Sequence, residues 1–214
     1  MKNSIENFFD WKTGKGNSVE KQHQYHKIVS QWERTDVLYS FIGIYQIGLF
    51  VFYPDKCKRT KYTIKDKTNQ FLSTDYLKER FAQFKKLNEV IIDSQFIQHI
   101  DSVGNVIPIW PGGNVDRGAR AYCFDIPDIY FKRHEKWFLA LQQLYPNSYL
   151  NGIIDSEFAT DDTSIFLDSM NERRYLQFLE HIVAVIVNRT ECLNNIQLST
   201  HQGNVNNLSP WRDI

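Results

Sequence analysis

The chain has 214 residues, with 25 Lys and Arg against 25 Asp and Glu, 42% hydrophobic residues and an aromatic share of 14%. That length fits one domain with short appendages, and the balanced charge excludes a protein that coats duplex or an anionic membrane through bulk positive charge. A local basic patch stays compatible with it, and fifteen Phe, eleven Tyr and five Trp suffice for a large core or an aromatic-lined site.

The start, Met1 to Lys15, has no apolar stretch behind a basic lead and no small-residue cleavage site, which predicts a cytoplasmic protein. Residues 1–17 read as a polar lead, 18–192 as one domain and 193–214 as a polar tail rich in Asn and Gln. Asn17 with Glu20 forms a capping box that opens a helix to about Glu33, carrying Tyr25, Ile28, Val29 and Trp32 on one face. Residues 37–54 then carry no charge across eighteen positions. They fall short of the roughly 20 apolar residues of a spanning helix, and their β-branched and aromatic content predicts two buried strands, 38–44 and 47–53, bent near Gln46. The basic stretch Lys56, Lys58, Arg59, Lys61, Lys65 and Lys67 encloses Tyr62 and Ile64 in alternation and predicts an exposed strand or hairpin arm, ordinarily a solvated face.

Ser73, Thr74 and Asp75 form an N-cap cluster ahead of Leu77, Phe81 and Phe84, which predict a helix to about Leu87. Residues 90–100 fit a strand or a short helix equally, 106–109 read as a strand, and Pro111-Gly112-Gly113-Asn114 forces a turn. Residues 122–124 suit a short strand, and Pro127 opens a helix to about Leu144 through Ile129, Phe138 and Leu141. After a break at Pro146 and Gly152 and a polar loop at Asp161 and Asp162, Ser169 with Glu172 makes a second capping box. The helix it opens, to about Arg189 with Tyr175, Leu176, Leu179, Ile182, Val183 and Ile186 inward, is the strongest pattern in the chain. The sum is an α+β fold, a small and mostly antiparallel sheet packed by about three main helices.

No HExxH, P-loop, GxSxG or EF-hand pattern occurs. Cys57, Cys123 and Cys192 are too widely spaced for a zinc or redox motif and read as reduced thiols; Cys123 has no fixed His partner nearby in sequence. His23 and His26 are spaced to share a metal on a helix, but two solvated histidines fit as well. The segment that departs most from core-and-surface logic contains Trp110, Gly112, Gly113, Asn114, Arg117 and Arg120 between a predicted strand and a predicted helix. Open backbone amides with guanidinium forks suit a phosphate or carboxylate. Asp125 and Asp128, three residues apart at the helix start, would carry Mg²⁺ beside it or act as a base. The plainer alternative has one Asp capping the helix, Arg117 paired with it and the glycines making the turn. Ser73 and Asp75 offer a second anion site at a helix N-terminus, with simple capping as the alternative.

Several of these blocks also occur together elsewhere. Tyr25-His26-Lys27, Phe71-Leu72-Ser73-Thr74-Asp75, Ile109-Trp110-Pro111-Gly112 with Asn114 and Arg117-Gly118, and Asp125-Ile126-Pro127-Asp128-Ile129 resemble a group of uncharacterised bacterial proteins sharing a domain of unknown function. That group carries a YHK-type helix, an F-L-S-S-D segment, an F-P-G…N…R-G loop and a D-R-F-D-L-T-L helix start, and the likeness spans about Tyr25 to Arg189. Trp110 stands where the group has Phe, and Ile126-Pro127 replaces its Arg-Phe. The resemblance implies no activity; it singles out Ser73, Asp75, Gly112, Asn114, Arg117, Gly118, Asp125 and Asp128 as matching positions. Two readings follow. One is a non-catalytic binding or regulatory protein of bacterial or prophage origin, docking a protein or nucleic-acid partner through an aromatic-rich surface. The other is an enzyme on a phosphate-bearing substrate, a nucleotide or nucleic acid, with Arg117 and Arg120 holding phosphate and Asp125 or Asp128 carrying metal or acting as base.

Overall fold

The computed structural model describes residues 5, 8, 19–60, 64–110, 112, 126–150, 153, 155–160 and 162–196. Helix α1 (Val19–His23) stops after five residues, and a separate 3-10 turn, Val29–Gln31, seats Val29 in the core. The continuous helix predicted to Glu33 is therefore broken. His26 Nδ1 accepts from the Ile28 N–H at 3.3 Å, a local side-chain bond that competes with the helical ladder.

Strand β1 (Thr35–Val37) runs antiparallel to β4 (Val106–Pro108), with Asp36 opposite Ile107. Asn105, fully buried, ties their ends together: its Oδ1 accepts from the Tyr39 N–H at 2.8 Å and its Nδ2 donates to the carbonyls of Tyr39 and Ile100.

Between these strands the structure corrects the sequence expectation. Residues 38–44 and 47–53 do not form two strands; Phe41–Phe52 is one helix, α2. Ser40 caps it, its hydroxyl accepting from the Gly43 N–H. Eight of its residues are buried, on every side, so no polar stripe betrays its period; a helix hydrophobic all round and a buried strand look alike in sequence. Its polar groups are spent inside: Gln46 donates to the Leu72 carbonyl at 2.8 Å and the Tyr45 hydroxyl to Asn88 at 2.7 Å.

Strands β2 (Cys57–Arg59) and β3 (Ile64–Asp66) make the expected hairpin arm. Ser73 then caps α3 (Thr74–Arg80). The helix predicted through Leu87 is interrupted after Arg80 by a 3-10 turn, Phe81–Gln83, whose Phe81 carbonyl is taken by Asn88 Nδ2 at 2.8 Å. The ambiguous stretch after residue 90 is helical, in α4 (Lys85–Asp93) and α5 (Phe96–His99), separated by Gln95 in a left-handed conformation.

Helix α6 (Pro127–Leu144) starts on Pro127 as predicted, with Ile126 at the N-cap and no capping side chain, and it kinks at His134. Asp162 caps α7 (Thr163–Ser169). Helix α8 (Glu172–Asn194) is the longest among the described residues; its cap is Asn171, which accepts from the Arg174 N–H at 2.9 Å, and not Ser169, which ends α7 with its hydroxyl bonded to the Phe166 carbonyl. Tyr175, Phe178, Leu179, Ile182 and Ile186 bury the inner face of α8 completely, each contributing about 1.5–3 kcal/mol; Leu176, predicted inward, is exposed.

The architecture is α+β: two small antiparallel sheets and, among the described residues, three helices of twelve residues or more (α2, α6 and α8) beside shorter ones. No helix among the described residues is long and apolar enough to cross a membrane.

Candidate functional site

Two places bring chemistry-bearing side chains together. The first lies where α6, α8 and the loop 155–160 meet. Asp128, in the first turn of α6, is fully buried. The Ser156 hydroxyl donates to its Oδ1, and His181 Nε2, from α8, lies 3.2 Å from both that oxygen and the Ser156 hydroxyl. Ser156 Oγ also accepts from the Phe158 N–H at 3.1 Å, and the Asp128 main-chain carbonyl accepts from the Thr160 N–H at 2.7 Å. Phe158 and Phe178 flank the imidazole at 5.4 and 6.5 Å between ring centroids. In a nucleophilic triad the imidazole bridges acid and hydroxyl through its two different nitrogens. Here one nitrogen faces both, and the hydroxyl proton goes to the carboxylate. The arrangement suits a polar latch that pins the loop to two helices better than an activated serine. Asp128 Oδ2 is buried with no hydrogen-bond partner among the described residues.

The second place is the outward face of the β2–β3 hairpin. Alternation sends Cys57, Ile64 and Asp66 inward, all buried, so Lys58 and Lys65 face out. Register puts those two lysines directly opposite each other, and Lys65 is bridged in turn to Phe71. Directly opposed residues share a face, so Lys58, Lys65 and Phe71 form one row about 10 Å long. Phe71 is 49% exposed. Lys56 and Lys67 flank the row, both exposed; Lys56 lies 5.5 Å from the ring centres of Tyr53 and Phe84. No ion pair is made by Lys56, Lys58, Lys65 or Lys67 among the described residues. Of the two acids adjacent in sequence to these lysines, Asp55 is exposed next to Lys56, and Asp66 points the other way and is committed to the loop beyond: Oδ1 accepts from the Thr68 N–H and hydroxyl and the Gln70 N–H, and Oδ2 from the Tyr76 hydroxyl. Burial pushes the Asp66 carboxyl up, but these bonds outweigh it and hold it below the ordinary carboxylate range.

The residues singled out in the sequence scatter. Trp110 is buried, its ring centroid 5.5 Å from His134, 6.0 Å from Trp137 and 6.1 Å from Phe138. Gly112 is exposed with φ +81° and open space where a Cβ would sit. Gly113, Asn114, Arg117, Gly118, Arg120, Cys123, Asp125 and the strand predicted at 122–124 lie outside the described residues. Ser73 accepts from the Tyr76 N–H at 3.2 Å as the α3 cap, and Asp75 is exposed in that first turn. His23 and His26 diverge, to the Asp101 carbonyl at 2.6 Å and to Asn194 at 3.2 Å. No metal-binding group of His, Cys, Asp or Glu occurs among the described residues. Burial first, and Asp66 second, push the Cys57 thiol up to about 11, leaving it a poor nucleophile at neutral pH.

Ser156, His181 and the alignment of Phe71 with the lysines were missed in the sequence. His181 had a signal, a single His next to the apolar face of a helix; the pairing of Lys58 with Lys65 had none, because register is not readable from residues 60–63.

No family model matches the chain, no curated protein matches it and no solved structure matches it. The resemblance to the bacterial group rests on its sequence blocks alone.

Proposed function

We propose that the protein is a non-catalytic binding protein that docks a nucleic acid on the lysine face of the β2–β3 hairpin. The observation that carries this reading is the cross-strand pair of Lys58 and Lys65, flanked by Lys56 and Lys67, with no ion pair to any of the four among the described residues. Like charges directly opposed in a sheet are destabilising, so the pair is a feature that folding alone disfavours. Phosphates would supply the missing counter-charge, and release of their condensed cations would drive association. A cytoplasmic location and membership of the bacterial group are parts of the same proposal. The test is an electrophoretic mobility shift with mixed-sequence nucleic acid in low salt. The wild-type chain retards it, and the double variant Lys58→Gln/Lys65→Gln, with an unchanged melting temperature, retards it only at higher protein concentration; retardation by both chains alike refutes the reading.

One observation favours the second reading, an enzyme on a phosphate-bearing nucleotide or nucleic acid. Asp128 holds a buried oxygen without a partner among the described residues at the start of the helix that follows the glycine- and arginine-bearing segment in sequence. In that reading Arg117 and Arg120 hold phosphate, and Asp125 or Asp128 carries Mg²⁺ or acts as base. Thermal shift with nucleotides, with and without Mg²⁺ or Mn²⁺, tests it. Stabilisation that Arg117→Ala abolishes supports it, and no stabilisation by any nucleotide removes it.

A further inference from the structure

Charge alone does not distinguish a duplex from a single strand; the third member of the row does. Phe71 presents half of its surface to solvent in the same cross-strand row as Lys65 and Lys58, and the Lys58 ammonium donates to the Lys67 carbonyl at 3.4 Å. An exposed Phe leaves its apolar ring in water. It sits there on a segment held in place, because Asp66 binds the loop 67–70 on one side and Ser73 caps α3 on the other. Stacked base faces inside a duplex are inaccessible to a side chain, whereas an unpaired base offers its flat face to an aromatic ring while its phosphates meet neighbouring cations.

Resting on the nucleic-acid reading above, we infer that the ligand of this face is a single strand, with one base stacked on Phe71 and the adjoining phosphates on Lys65 and Lys58. Stacking on an aromatic side chain is tolerant of sequence, since every base has a π-face. The site accordingly selects strandedness and not sequence.

Fluorescence anisotropy of the full chain tests this with four probes: a labelled 15-mer of deoxythymidine, a 15-mer of uridine, a 15-base-pair duplex and heparin, a polyanion without bases. At least one single-stranded probe is expected to bind about tenfold or more tighter than the duplex. Phe71→Ala weakens binding of that probe by about 5- to 150-fold, the range for one lost stacked base, and leaves heparin binding unchanged. Phe71→Trp restores strand binding, and its indole emission responds to the oligonucleotide and not to heparin. Phe71 is a surface residue, so a melting curve like that of the wild type accompanies both variants. Equal affinity for strand and duplex, or a Phe71→Ala chain that binds the strand like wild type, overturns the inference and leaves the lysine face standing. Failure of all four probes to bind overturns the nucleic-acid reading itself.

Discussion

Replacing Arg189 by leucine would remove a cation that is buried without any acid facing it among its bonded partners. Its guanidinium donates to the carbonyls of Gly104, Val106, Ser148 and Tyr149, with Val106 at 2.8 Å and Ser148 at 2.9 Å. Burial pulls its pKa down to about 9, so at neutral pH the charge persists and the carbonyl oxygens are what stabilise it. Arg189→Leu strands four acceptors where water cannot reach them, and a loss of about 3–5 kcal/mol is expected, read from the urea midpoint at unchanged slope. The sequence placed Arg189 at the end of a helix, where arginine is ordinarily solvated. It gave no sign of the inward position, because the partners come from segments 40 or more residues away. The same holds for Asp128. Its place at the helix start was legible, but the Ser156 and His181 that surround it are brought in by tertiary structure.

Among elements, α8 and the turn before β4 meet backbone to backbone at Gly104. A Cβ on Gly104 would overlap the Ile186 carbonyl and Thr190 of α8, and the Gly104 N–H already donates to the Thr190 hydroxyl at 3.1 Å. Backbone cannot yield as a side-chain tip can, so Gly104→Ala should cost about 3 kcal/mol or more, at the upper end of overpacking effects, again by urea titration. The hairpin carries a different liability. The Asp66 carboxyl sits below its ordinary value in the folded state, so the stability it contributes is fully present above about pH 4 and is lost as pH falls through the folded value. Melting temperature should drop below about pH 4, and Asp66→Asn should show a shallower acid limb; an unchanged limb would exclude Asp66 as its source. Helices with a polar face, α6 opened by Pro127 and α8 capped by Asn171, were legible in the sequence almost to their ends. Helix α2 was not, since burial on all sides erases the periodicity that would identify it, and β-branched residues bias the reading toward strand. The hairpin was legible as an exposed basic arm, yet its register, which aligns Lys58, Lys65 and Phe71, is not specified by the residue types.

For the whole molecule, the balance of 25 basic and 25 acidic side chains conceals a sharp local imbalance. Residues 56–67 hold six basic side chains and one acidic one, and that acid points inward. Zero net charge therefore excludes a wholly basic coat protein while permitting a focused cationic face, whose field acts within about 10 Å at ordinary ionic strength. The central claim is that this face binds nucleic acid through its lysines, and salt dependence tests it most directly. Log affinity for a 15-mer single strand should fall linearly with log salt, by about 0.7 for each phosphate contacted, and Lys58→Gln/Lys65→Gln should reduce that slope by about 1.4. An affinity independent of salt, or a slope the double variant leaves unchanged, would contradict the account.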